Sequence, residues 1–81
     1  MSTIYSSAEI RFLVKVGNNI RAFRKLHNLS QEDFAIKCGL DRTYISDVER
    51  GQRNLSLLTL LKITKTLKIA PEQLFGTSNV K

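Results

Sequence analysis

The chain has 81 residues, 42% of them hydrophobic and 25% charged, with 13 Lys and Arg against 7 Asp and Glu for a net charge of +6. This length admits one small domain with a modest core, not two domains. One cysteine excludes an intrachain disulfide, one histidine beside it matches no zinc-ligand spacing, and no apolar run reaches transmembrane length.

The basic balance favours a polyanionic partner, although solubility alone accounts for the same charge. No basic-then-apolar leader opens the chain, and the cysteine usage points to a reducing cytoplasm. Residues 1–6 are short and polar, and disorder is expected there.

The first helix is predicted from about Ser7 to Leu26. Leu13, Val16, Ile20 and Phe23 recur at helical spacing and should face the core. Gly17 lies inside this helix, where it costs about 1 kcal/mol relative to alanine. A close helix–helix approach would explain its presence. Lys15 and Lys25 read as a solvated face. His27-Asn28 forms the turn.

The second helix opens at Ser30, a good N-cap, with Asp33 three residues on in a capping-box-like position. Phe34, Ala35 and Cys38 share one face. Gly39 stops the helix, since only glycine enters the left-handed region without a Cβ penalty. Leu40 drops into the core and Asp41 caps the third helix. There Ile45 and Val48 form a narrow apolar stripe. Arg42, Thr43, Tyr44, Ser46 and Asp47 are left on other faces, and Gly51 ends the run.

Residues 51–56 form a polar loop. Ser56 caps a fourth helix running to about Lys68, with Leu57, Leu60, Leu61, Thr64 and Leu67 as its buried stripe. Pro71 suits the first position of a short fifth helix, Glu72 to Phe75, stopped by Gly76. From Thr77 the tail is polar and expected to fray. The predicted fold is all-α, five helices around one core over residues 7–76 of a single domain, 1–81.

No catalytic constellation can be assembled. His27 lies in a polar turn without an orienting partner. Cys38 reads as a buried small hydrophobe rather than a nucleophile. The four glycines are scattered and form no phosphate-cradling loop. No cofactor or metal is implied.

Residues 30–51 have the layout of a helix-turn-helix, whose second helix enters the DNA major groove. Arg42, Thr43 and Tyr44 open that helix, at the end that points toward base edges. Arginine pairs bidentately with guanine O6 and N7, and Thr43 and Tyr44 offer contact to a thymine methyl. Arg50, Arg53 and Asn54 are placed to reach the flanking backbone. The helix N-termini at Gln31 and Leu57 supply free N–H groups for phosphate. A solvated polar face is the plainer reading of the triplet alone; the cluster beyond it favours DNA.

A single recognition helix reads only a few base pairs, so a two-fold homodimer on a palindrome is expected. Leu58 and Ile63 lie outside the central stripe of the fourth helix. Ile69, Leu74 and Phe75 cluster around the fifth. These five are the expected dimer surface, the alternative being that Leu74 and Phe75 simply cap the monomer core.

Residues 17–75 resemble the lambda-repressor/Cro-like helix-turn-helix domains. The resemblance rests on Ile20-Arg21-Ala22-Phe23-Arg24, Leu29 to Ala35, Ile45 to Gly51 and Leu67 to Phe75. Leu40 to Ser46 with Arg50 to Ser56 is similar to controller proteins of restriction–modification systems. The resemblance implies a small cytoplasmic dimer on an operator, activating or repressing by occupancy, with RNA polymerase as a further partner. It also implies phosphate contact by Gln31, which would brace the start of the third helix, a place for Ser46 along the DNA backbone with Arg50, Arg53 and Asn54, and a partly buried ion pair between Arg24 and Glu49. A phage or chromosomal repressor, or a protein-interaction module such as an antitoxin, would reuse the same fold.

Overall fold

The structure is a computed structural model and describes residues 4–76. Four α-helices follow in order: α1 (Ser7–Leu26), α2 (Gln31–Cys38), α3 (Arg42–Glu49) and α4 (Leu57–Leu67), with a 3-10 turn at Pro71–Leu74. The fifth element is therefore one 3-10 turn and not an α-helix. Four residues starting at a proline are too few to close a regular α-helical ladder. The outermost stretches, residues 1–3 of the polar lead and the tail from Thr77, lie outside the described residues.

Each helix starts where a side chain can accept an otherwise unpaired backbone N–H. Ser6, Ser30, Asp41 and Ser56 all cap in this way. The Ser6 cap is reciprocal, with the Glu9 carboxylate accepting from the Ser6 backbone at 2.8 Å. Gly39 closes α2 at φ 71°. That left-handed residue turns the chain tightly enough for Leu40 to pack against the core.

Val16 and Ile20 of α1, Phe34, Ala35 and Cys38 of α2, Ile45 and Val48 of α3, and Leu60, Ile63 and Leu67 of α4 form the core, closed by Leu74. Leu13 is only half-buried at its edge. Burial pushes the Cys38 thiol up, against a smaller opposing effect of its hydrogen bond with Thr66. His27 is exposed, and its Nε2 sits 2.9 Å from the Leu67 carbonyl at the end of α4. A carbonyl only accepts, so Nε2 carries the proton.

Two expected interface residues are core residues instead. Ile63 and Leu74 are fully buried in the monomer. The buried stripe of α4 is Leu60, Ile63, Thr64 and Leu67, an i, i+3, i+4, i+7 set. Leu57 and Leu61, assigned to that stripe from sequence, face outward, at 83% and 47% exposure. The α4 sequence is rich enough in leucine to offer two apolar stripes, and packing against α1 and α2 selects the one containing Ile63. Leu74 is drawn inward by the 3-10 turn, whose carbonyl accepts from Asn19 Nδ2 at 2.8 Å.

Gly17 marks the closest approach of α1 to α3. A Cβ there would collide with the Val48 carbonyl oxygen and lie 2.7 Å from that of Glu49. Both obstacles are backbone, so only separation of the helices would relieve them. Gly17→Ala is therefore expected to destabilise the fold by about 1–3 kcal/mol, despite the gain in helix propensity. A lowered urea midpoint at unchanged m-value checks this; a raised midpoint would show that α1 can move away freely.

Candidate nucleic-acid interface

The rear of α3 is fixed before its front can act. Ile45 and Val48 bury one face against α1 and α2. At its end, Glu49 forms a bidentate ion pair with Arg24 of α1: Nε to Oε2 at 2.6 Å and Nη2 to Oε1 at 3.0 Å. The two side chains are 8% and 3% exposed. Arg24 Nη1 also donates to the Leu29 carbonyl at 2.8 Å, and Gln31 Nε2 donates to Glu49 Oε1 at 3.1 Å. One carboxylate thus ties α1, α2 and α3 together. Gln31, expected to brace the start of α3, is bound to its end instead, because Glu49 presents the charged acceptor.

The front of α3 is open. Arg42 and Thr43 are exposed and Tyr44 is half-buried. Asp41 Oδ2 accepts from the Thr43 backbone N–H at 2.9 Å, which orders the first turn. Further along, Arg50 donates to Ser46 Oγ and to Asp47 Oδ1, each at 2.6 Å. Arg53 Nε donates to Asp47 Oδ2 at 3.2 Å, and its guanidinium lies 5.0 Å from the centre of the Tyr44 ring. Tyr44, Ser46, Arg50 and Arg53 are therefore brought into one cluster around Asp47. Sequence reading did not assign Asp47 a role; its i, i+3 spacing to Arg50 was the available signal.

Asn54 stands apart from this cluster. It lines a surface hollow with Tyr5, Phe12 and Leu13 of the chain's N-terminal part. The rim of the recognition surface is basic along Arg42, Arg50 and Arg53. No group of metal-ligating side chains occurs among the described residues, and none of their helices is long and apolar enough to cross a membrane.

The apolar surface lies elsewhere. Leu58 is 73% exposed, and Leu57, Leu61 and Phe75 are exposed as well. Phe75 packs on Phe12 with ring centroids 5.8 Å apart. Of the five expected interface residues, Leu58 and Phe75 are accessible, Ile69 is half-buried, and Ile63 and Leu74 are inaccessible.

A polar-fronted helix held on a tight turn defines a DNA-binding regulator of helix-turn-helix type, not an enzyme. The chain belongs to the helix-turn-helix family, which it matches over residues 20–74. It is similar to the control protein C.BamHI of Bacillus amyloliquefaciens, at 45% identity over 79% of this chain and 80% of that one. The crystal structure of the restriction-modification controller protein C.AhdI from Aeromonas hydrophila superposes with TM-score 0.75 at 51% identity, over 78% of this chain and 96% of that one. A third relative, C.Esp1396I, was solved as a tetramer in complex with its natural 35 base-pair operator. It superposes with TM-score 0.71 at 42% identity, over 79% of this chain and 84% of that one.

Removing one partner of the Arg24–Glu49 pair leaves a buried charge uncompensated. Arg24→Met should cost about 3–5 kcal/mol, and the double variant Arg24→Met/Glu49→Leu should recover most of it. Urea unfolding of both variants checks this. A single variant that unfolds like wild type would show that the pair is not what holds α3.

Proposed function

We propose that this chain is the controller of a restriction–modification operon, binding a palindromic operator as a two-fold dimer. The observation that carries the reading is α3 itself: its rear is locked by buried contacts, while Arg42, Thr43 and Tyr44 open its front. Arg42 reads a guanine edge, with Thr43 and Tyr44 beside it. Arg50 and Arg53 lie along the phosphates with Ser46, and Asn54 reaches the backbone beyond them. Gln31 presents the N-terminus of α2 to phosphate, its own amide anchored on Glu49. The operator complex of C.Esp1396I supports the same mode here. Occupancy beside a promoter then activates or represses, with RNA polymerase as the further partner, in the cytoplasm.

The dimer uses Leu58 and Phe75 with Leu57, Leu61 and Phe12, which replace the buried Ile63 and Leu74. Ile69 supports that surface from its half-buried position. The described chain measures 32 × 32 × 20 Å. A two-fold dimer on a palindrome is expected to set its α3 helices about one duplex turn apart, roughly 34 Å.

Selection from a randomised duplex pool, followed by mobility-shift titration, tests the reading and should return an inverted repeat. Arg42→Ala should then lose about 1–3 kcal/mol on the selected duplex and much less on random duplex. Equal losses on both would make Arg42 a phosphate contact, and a pool that yields no repeat would overturn the operator reading.

Assembly is checked separately. Leu58→Lys should shift the protein from dimer to monomer in sedimentation at micromolar concentration, with helical content unchanged. A variant that stays dimeric would move the interface off α4.

A further inference from the structure

Asp47 is the acid at the centre of the basic rim. Both of its oxygens are used, Oδ1 by Arg50 and Oδ2 by Arg53. Its position is not explained by helix stability. Asp47 lies in the last turn of α3, where the helix dipole disfavours a negative charge, and that turn holds no basic residue. Nor is it a buried brace: its side chain is 20% exposed, and those of Arg50 and Arg53 are 55% and 48% exposed. What it does hold is the direction of two arginines. Arg50 is fixed between Asp47 and Ser46. Arg53 gives Asp47 only its Nε while its guanidinium rests over Tyr44, so its terminal nitrogens have no hydrogen-bond partner among the described residues.

We propose that Asp47 is a positioning residue for DNA discrimination: it holds Arg50 and Arg53 in the free protein, so a phosphate must compete with its carboxylate for them. The inference rests on the DNA-binding reading above. Phosphate contacts carry the sequence-independent part of affinity. An acid that occupies the same donors weakens that part wherever docking pulls them off the carboxylate. On a matched site the base contacts of Arg42 fix the register, so the pre-aimed Arg53 meets phosphate through its free terminal nitrogens without leaving Asp47. Random duplex has no such compensation. Asp47 therefore widens the ratio between matched and random binding while lowering random binding itself.

Asp47→Asn keeps the shape and removes the charge. The probes are a random-sequence duplex of 30 base pairs and the duplex selected by the wild-type protein. On random duplex the variant should bind about five-fold more tightly, the scale of two exposed ion pairs no longer competing. Its log K against log salt slope should steepen by up to about 0.9. On the selected duplex the gain should be smaller, so the ratio falls. Glu72→Gln makes the same charge change on the 3-10 turn and should leave the ratio unchanged. Asp47→Ser is the second variant, should the first fail to fold. Random-duplex affinity that is unchanged or lower, an equal gain on both duplexes, or an equal effect of Glu72→Gln would each overturn the proposal. Wild-type protein that binds both duplexes alike would instead overturn the operator reading, while the random-duplex comparison would still read the competition at Asp47.

Discussion

Everything at the recognition surface depends on the buried carboxylate of Glu49. It sits at the end of α3, accepts two hydrogen bonds from Arg24 and one from Gln31, and so joins three helices at one point. A buried ion pair is weak evidence of net stability, because desolvation offsets most of the Coulomb attraction. Its contribution here is directional. Apolar contacts at Ile45 and Val48 would tolerate rotation of α3 about its axis. A bidentate guanidinium–carboxylate pair fixes both distance and plane. The helix that presents Arg42, Thr43 and Tyr44 is thereby held at its far end, while at its near end Arg42 and Thr43 stay exposed.

Gly17 belongs to the same constraint. The Arg24 pair can close only if α1 lies against the last turn of α3, and that approach has no room for a side chain at position 17. The glycine lowers the intrinsic stability of α1, and the Arg24–Glu49 geometry accounts for its presence. Two features that look unrelated in the sequence, a helix-interior glycine and an arginine seven residues later, lie on the one face of α1 that meets α3.

Much of this was legible without coordinates. Caps at Ser30, Asp41 and Ser56, the Gly39 stop and the spacing of Phe34, Ala35 and Cys38 are local signals, and local signals set helix boundaries. The α4 phase was not legible, because Leu57, Leu58, Leu60, Leu61, Ile63 and Leu67 satisfy more than one helical stripe. Only the position of α1 and α2 decides between them, and that is tertiary information. Leu74 was misplaced for a related reason: apolar residues in a short terminal element can close a core or open an interface, and composition is the same in both cases. At the site, the residue types on α3 were readable, whereas the Gln31–Glu49 and Asp47–Arg53 bonds were not. These bonds span 18 residues in one case and reach into the α3–α4 loop in the other.

The misassigned α4 stripe bears on regulation. With Ile63 and Leu74 in the core, the exposed leucines at 57, 58 and 61 are free to meet a second copy. A domain this small is only marginally stable, and burying such a surface adds to its stability by mass action. On the proposed dimer, folding, assembly and DNA binding therefore share one concentration dependence. Well below the dimerisation constant, the dimer population rises as the square of protomer concentration, and so does operator occupancy. Operator occupancy would then respond sharply to the protein's own accumulation. That sharpness needs weak binding by the monomer to random DNA, or the chain would be titrated away before pairing. With the competition proposed for Asp47, the acid-held arginines of the α3 rim would meet that requirement, and the electrostatics of one surface and the packing of the other would act toward the same threshold.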